Sequence, residues 1–255
     1  MLFVADVGNT NIVLGVFDGE GELLSSWRIR TDEGKTADEY EILLRNFFHY
    51  RGMDLNKISG AALASVVPTV TGIFETLIRS LFKADPLILG PGVKTGMPIK
   101  TDNPREVGAD RIANSVAAYE LYGGPIIVAD FGTATTFDVV SEKGEYLGGT
   151  ISPGVYISME ALFHRAAKLP WVDFKRPDRV IGKNTVISMQ SGIMCSVIGG
   201  INYTVAAIRK ELGMPAQVVA TGGLADMVGR YAKSIDYIDP DLTLKGLRII
   251  YNRSR

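Results

Sequence analysis

Val4-Ala5-Asp6-Val7-Gly8-Asn9-Thr10 and Val128-Ala129-Asp130-Phe131-Gly132-Thr133-Ala134 are the two stretches whose comparison decides the fold. Laid over one another they match at Val, Ala, Asp and Gly, with a Thr in or beside the next two positions. Each lies between β-prone runs. Leu2 to Val7 leads through the first into Ile12 to Phe17 and the turn Asp18-Gly19-Glu20-Gly21. Ile126 to Ala129 leads through the second into Phe137 to Val140, the turn Glu142-Lys143-Gly144-Glu145 and the run Tyr146-Leu147-Gly148-Gly149. A single Gly-Asn-Thr turn between strands is an ordinary hairpin connection. Two copies in register, half a chain apart, predict two like subdomains facing each other across a cleft.

Working outward, Leu23 to Ile29 predicts a third strand, and Ala37 to Tyr50 a helix with Tyr40, Leu43, Leu44, Phe47 and Phe48 on one face. Gly60 to Val67 predicts a short buried strand and Val70 to Phe82 a helix. The turn-rich Tyr122-Gly123-Gly124-Pro125 marks the boundary, giving subdomains 1–122 and 123–255. Beyond it a helix is predicted over Ser158 to Ala167, then a Pro- and charge-rich loop over Pro170 to Lys183. A long helix follows near Ser191 to Leu212, apolar on several faces, which predicts full burial or burial that includes a dimer contact. Val218 to Ala220 forms a last strand entering Thr221-Gly222-Gly223-Leu224, before another helix. The architecture predicted is α/β.

Composition narrows the function. With 46% hydrophobic residues the 255-residue chain can bury a sizeable core, and a formal net charge of -1 leaves no overall footprint for nucleic acid. The single cysteine, Cys195, cannot form an internal disulfide, and with only His49 and His164 neither a Cys- nor a His-based metal site is expected. Both histidines are expected to be structural or exposed. No basic segment precedes an apolar one at the start of the sequence, so a signal peptide is not expected, nor is export from the cytoplasm. Asn184 to Ile208 carries no charge and is long enough to span a bilayer, but Asn184, Thr185, Ser188, Gln190, Ser191 and Asn202 argue against a membrane role.

The chemistry suggested is that of phosphate. In strand-Asp-x-Gly-x-Thr-strand the Gly lets backbone amides approach an anion closely, and the hydroxyl with those amides makes an anion-binding concavity. The neighbouring Asp suits the cation that accompanies phosphate. Thr221-Gly222-Gly223 would let a nucleotide lie against backbone. No Gly-x-x-x-x-Gly-Lys-[Ser/Thr] occurs, which excludes a Walker-type kinase. Asp110 precedes the helical pattern Ile112, Val116, Tyr119, so it falls in a first turn, where a carboxylate is favoured whether it works or only caps.

Asp6-Val7-Gly8-Asn9-Thr10, Gly108-Ala109-Asp110-Arg111, Asp130-Phe131-Gly132-Thr133-Ala134, Gly148-Gly149-Thr150-Ile151-Ser152-Pro153-Gly154 and Gly182-Lys183-Asn184-Thr185 occur in the order and approximate spacing of the type III pantothenate kinases, which the sequence resembles over nearly its whole length. The resemblance implies the duplicated actin, sugar-kinase and Hsp70-like (ribonuclease H-like) fold, with an ATP cleft between the subdomains. It also implies phosphorylation of pantothenate to 4'-phosphopantothenate, the first step of coenzyme A biosynthesis, by a cytoplasmic homodimer needing Mg2+ and a monovalent cation, K+ or NH4+. Carried over by position, Asp6, Val7, Gly8, Asn9, Thr10, Asn11, Ile12 and Val13 resemble the first ATP phosphate loop, with Asp6 in the Mg2+ region, and Thr133 its partner. Asp130 matches the monovalent-cation ligand. Gly108, Ala109, Asp110 and Arg111 resemble the pantothenate contact, with Asp110 as the proton acceptor, and Thr185 matches a further substrate contact. Many members carry an aromatic residue, near pantothenate, where this sequence has Thr101. The first subdomain would then hold the first phosphate loop and the substrate Asp, and the second the other phosphate loop and the adenosine side. The alternatives are a non-catalytic regulator on the same scaffold, or a superfamily kinase or phosphatase with another small substrate; Asp6, Asp110 and Asp130 together argue against the regulator.

Overall fold

The repeated stretch folds as a repeated hairpin. In the first sheet β1 (Leu2–Val7) pairs antiparallel with β2 (Asn11–Phe17), and β2 with β3 (Leu23–Arg30); β4 (Gly60–Ser65) and β5 (Pro86–Ile88) add in parallel on the other side of β1. In the second, β6 (Ile126–Phe131) pairs antiparallel with β7 (Ala134–Val140), and β7 with β8 (Tyr146–Pro153), while β9 (Gln217–Thr221) and β10 (Tyr237–Ile238) add in parallel. The orders β3-β2-β1-β4-β5 and β8-β7-β6-β9-β10 are one topology built twice. Both copies carry a register irregularity at the same place, Val16/Phe17 and Val139/Val140. In each central strand every residue is buried except the fifth, Asp6 in one and Asp130 in the other. Such unbroken apolar runs are what strands covered on both faces require.

The computed structural model describes residues 1–166 and 168–255, and it divides into one unit of Met1–Glu120 with Asp241–Arg255 and another of Leu121–Pro240. In the first unit α1 (Ala37–Tyr50) connects β3 to β4 and packs on α2 (Pro68–Phe82), which connects β4 to β5. The start of α1 is fixed by a capping box, in which Thr36 caps the Glu39 amide and the Glu39 carboxylate returns to Thr36. Its predicted face is the buried one: Tyr40, Leu44 and Phe48 join Phe3, Leu14, Leu63, Phe74 and Leu77 in the core. Each such side chain contributes about 1.5–3 kcal/mol by leaving water. After α3 (Ala109–Tyr122), the second unit uses α4 (Val155–Arg165), α5 (Thr185–Leu212) and α6 (Ala225–Gly229), with Ile127, Phe131, Phe137, Ile201, Val205 and Val218 in its core.

Four expectations need correction. The last helix, α7 (Leu242–Arg253), belongs with the first unit and not with 123–255, and the division falls after Glu120. Leu244, Leu247 and Ile250 are buried, and Gly246 lies so close to α3 that a Cβ there would come within 2.5 Å of the Ala113 carbonyl carbon. Thr243 Oγ1 donates to Asn114 Oδ1 at 2.7 Å, and Arg253 donates to Thr95 O at 2.8 Å and pairs with Glu120 at 2.6 Å. The long helix begins at Thr185 and not Ser191, because Asn184 Oδ1 caps the Ile187 amide at 2.9 Å. Nor is that helix fully buried: only Met189, Gln190, Ser191, Met194, Ile201 and Val205 are, and Tyr203 is 77% exposed. It is the one helix among the described residues long and apolar enough to cross a membrane, but its buried apolar residues, Met189, Met194, Ile201 and Val205, form part of the second unit's core. The helix predicted over Ser158 to Ala167 starts at Val155, after Gly154; its predicted end at Ala167 lies outside the described residues.

Candidate active site

The hairpin from Asp6 to Val13 gathers the whole first set of predicted residues. Gly8 N–H donates to Asn11 O at 3.0 Å, and a Cβ on Gly8 would press on that oxygen at 3.1 Å. The turn is braced from outside, since Thr31 Oγ1 donates to Gly8 O at 2.6 Å and Thr31 N–H to Thr10 O at 3.0 Å. Asn9 and Thr10 are exposed, and Asp6, Gly8, Asn11 and Val13 half-buried. Val7 and Ile12 are fully buried, main chain included, so they support the turn from beneath. Thr31 escaped the sequence reading, because nothing local ties it to Gly8, which precedes it by 23 positions.

The second hairpin is one residue shorter: only Gly132 and Thr133 separate β6 from β7, and both are exposed. Gly132 N–H donates to Ala134 O at 3.1 Å and Gly154 N–H to Thr133 O at 3.1 Å. Asp130 stands opposite Thr221 of β9, and the turn after β9 folds back over it. At Gly222, with φ +91°, a Cβ would overlap the Asp130 carboxylate and come within 2.7 Å of the Phe131 backbone. The Thr-Gly-Gly turn is therefore glycine first because Asp130 and Phe131 leave no room for a side chain.

Gly108-Ala109-Asp110-Arg111 opens α3 in the first unit, with the first helical bond running from Ile112 N–H to Gly108 O at 3.1 Å. Asp110 Oδ1 accepts the Arg111 amide at 2.9 Å, and the absence of a side chain on Gly108 leaves that oxygen its place, since a Cβ would stand 2.5 Å away. Asp110 and Arg111 are half-buried, on a helix whose next seven residues, Ile112 to Ala118, are all buried. A carboxylate fixed on so rigid a base keeps its position. Thr101 is half-buried, and its Oγ1 is buried with no hydrogen-bond partner in the protein.

Thr185 lines a cavity of about 1010 Å³ in the second unit, together with Thr135, Ser152, Pro153, Lys183 and Asn184. Its deeper wall is apolar, from Phe137, Val155, Leu162, Met189, Ile193 and Ile201, and Lys183 is the one charged residue lining it among the described residues. Thr135 lies in β7 just after Thr133's turn, and Pro153 precedes Gly154, whose amide donates to Thr133 O, so Thr133 and Thr185 lie in one region of this unit. The loop before α5 is tied down by Ser191 Oγ donating to Val180 O at 2.6 Å and Gln190 Nε2 to Asp173 O at 3.2 Å. His49 and His164 are exposed, and Trp171, half-exposed, meets Phe163 edge-on at 5.7 Å. Among the described residues no cluster of three or more His, Cys, Asp or Glu could hold a metal unaided. A hard divalent cation bound through one carboxylate, water and substrate phosphates needs no such cluster, so single half-buried aspartates at strand ends fit it.

A doubled sheet of this order, each copy led by an Asp-x-Gly hairpin, defines the actin, sugar-kinase and Hsp70-like class. The fold recurs in an activator of 2-hydroxyisocaproyl-CoA dehydratase from Clostridium difficile with bound ADPNP, at TM-score 0.54 and 12% identity over 99% of this chain and 94% of that one. It recurs also in a Campylobacter jejuni protein assigned provisionally to the Baf family of transcriptional activators, at TM-score 0.62 and 18% identity over 98% and 97%. The family model for type III pantothenate kinase matches residues 2–207. Type III pantothenate kinases from Moorella thermoacetica and Myxococcus xanthus are 59% and 55% identical to the chain, over 100% of it and 100% and 99% of themselves. The chain belongs to the type III pantothenate kinase family.

Proposed function

We infer that this chain is an enzyme that transfers the γ-phosphoryl group of ATP to pantothenate, giving 4'-phosphopantothenate for coenzyme A synthesis. The observation that carries the reading is the hairpin built twice, with Asp6 and Asp130 at the same position of equivalent strands. In the proposed assignment the Asp6–Val13 turn and Thr133 receive the phosphates of ATP through main-chain amides and hydroxyls. Asp6 would hold Mg2+ and Asp130 a monovalent cation, K+ or NH4+; both ions offset the negative charge of the triphosphate. Gly108, Ala109, Asp110 and Arg111, with Thr101 and Thr185, would bind pantothenate, the Arg111 fork suiting its carboxylate.

In the reaction the 4'-hydroxyl oxygen bonds to the γ-phosphorus, the bond from that phosphorus to the β–γ bridging oxygen breaks, and ADP leaves. The hydroxyl proton passes to Asp110. With Oδ1 engaged by the Arg111 amide, Oδ2 is the oxygen that receives it. The transition state is loose, so Asp110 acts first by orienting the hydroxyl and only late as a base. The exposed apolar side chains of the second unit, Ile151, Tyr156, Ile181, Val186 and Tyr203, support a homodimer, and a part in coenzyme A synthesis suits a cytoplasmic protein.

ADP release with MgATP, with and without pantothenate, in potassium and in sodium buffer, tests this reading. Pantothenate-dependent release that is faster in potassium is expected. Asp110→Asn is expected to lower turnover about 10²- to 10⁴-fold, the usual range for such groups. Release indifferent to pantothenate, or full turnover in a folded Asp110→Asn variant, defeats it.

A further inference from the structure

Each of the two hairpins is held by the residue that follows the third strand of its sheet. Thr31 follows β3 and donates its N–H to Thr10 O at 3.0 Å; Gly154 follows β8 and donates its N–H to Thr133 O at 3.1 Å. The register makes the two positions equivalent, since Arg30 stands opposite Asn11 and Pro153 opposite Ala134, the first residues of β2 and β7. The equivalence stops at the side chain. A Cβ on Gly154 would overlap Thr133 O and lie 2.6 Å from Gly132 O, so the second turn admits none there. Thr31 has one, and its Oγ1 donates to Gly8 O at 2.6 Å.

That added bond decides which way the amides of the first turn point. Gly8–Asn9 and Thr10–Asn11 are trans peptides, and in a trans peptide the N–H points opposite to the C=O. With Gly8 O and Thr10 O both drawn toward Thr31, the N–H groups of Asn9 and Asn11 are turned away from it. Successive main-chain donors of this kind are what a phosphate oxygen meets in an anion-binding turn. Beside a glycine the peptide plane swings most readily, so the one between Gly8 and Asn9 gains most from being tied. The brace is itself anchored to the core. Asp32, next to Thr31, donates its N–H to Tyr40 Oη at 3.2 Å and accepts the Tyr40 hydroxyl at its carbonyl at 2.9 Å. Tyr40 is 1% exposed and lies tilted against Phe74 at 5.1 Å. The direction of an exposed turn is thus set from the interior, through Tyr40, Asp32 and Thr31.

Granted the phosphate role of the Asp6–Val13 turn, on which this rests, we propose that Thr31 is a positioning residue for MgATP: its hydroxyl, bound to Gly8 O, aims the Asn9 amide at a phosphate oxygen and touches no substrate itself. It neither gives nor takes a proton in the reaction. Its loss therefore acts on nucleotide affinity and leaves pantothenate, which is assigned to other residues, alone.

Full-length wild type, Thr31→Val and Thr31→Ser are compared by calorimetric titration with MgADPNP and by ADP release at varied MgATP and varied pantothenate. Valine keeps the branched shape and the N–H and removes the hydroxyl. Thr31→Val is expected to weaken MgADPNP binding and to raise KM for MgATP about 3- to 10-fold, the scale of one neutral hydrogen bond, with KM for pantothenate unchanged. Thr31→Ser keeps the donor and should bind nucleotide within about twofold of the wild type. A brace that served stability alone would lower the thermal midpoint of Thr31→Val without moving nucleotide affinity, and that result overturns the proposal. An equal rise in KM for both substrates overturns it too, as does a serine variant that binds no more tightly than the valine one. If the wild type binds MgADPNP but releases no ADP on addition of pantothenate, the kinase reading fails, and the contrast between valine and serine in nucleotide affinity still decides the role of Thr31. No binding of MgADPNP by the wild type overturns both. Should Thr31→Val fail to fold, Thr31→Ala compared with Thr31→Ser decides instead.

Discussion

Replacing Gly222 by alanine separates two costs that the structure assigns to one position. The first is backbone: at φ +91° an L-residue is strained, which costs about 1–2 kcal/mol. The second is collision, because the new methyl overlaps the Asp130 carboxylate and lies within 2.7 Å of the Phe131 backbone. Overpacking of that kind costs about 1–3 kcal/mol more. Gly213, at φ +69° with nothing within 4 Å of its would-be Cβ, carries only the first cost and serves as the reference. Gly213→Ala should therefore lose about 1–2 kcal/mol and Gly222→Ala about 2–5 kcal/mol, by the same two magnitudes, measured by urea unfolding. The collision can be relieved only by moving Asp130 or the strand end that carries it. Gly222→Ala should thus also lose pantothenate-dependent turnover and any preference for potassium over sodium, while Gly213→Ala keeps both. Equal stability losses in the two variants would refute the packing argument. Unaltered turnover in Gly222→Ala would refute the link between this turn and Asp130.

Gly246→Ala should destabilise the first unit by about 1–3 kcal/mol through overpacking against Ala113, with hydrogen exchange rising in α3 and α7 and not in β6 or β9. Tyr122 has its hydroxyl pushed up to about 12 by burial and then by the charge of Asp239. A raised value stabilises the folded form fully below the ordinary 10.0, and that contribution fades as pH climbs through about 12. Unfolding measured across this alkaline window should therefore fall more steeply for the wild type than for Tyr122→Phe, and parallel curves would contradict it.

The hairpins were legible because their signal is local: a β-prone run, Asp-x-Gly, and a second run, twice. The α1 face was legible for the same reason, its period being visible within Ala37–Tyr50. What escaped depends on approach between distant segments. Nothing near Gly246 announces Ala113, and nothing near Thr31 announces Gly8, so the placement of α7 and the brace on the first turn had no sequence signal. The short β5 and β10, of three and two residues, are too brief to show alternation. What covers α5 was not legible, because apolar composition states that a surface will be covered, not by what. Of the site, Asp6, Asp110, Asp130 and Thr133 stood out through their turns, whereas Thr135, Ser152 and Pro153 meet in one cavity only when β7 and β8 are paired.

The return of α7 to the first sheet fixes an order of assembly during synthesis. Leu121–Pro240 is continuous in the chain, so it can close as soon as it leaves the ribosome, but the unit made first stays open along β1 and β4 until its final helix arrives. The unit whose synthesis starts ahead of the other's is thus the last to be sealed. Until then, its unshielded sheet is the surface on which chaperones would be expected to act.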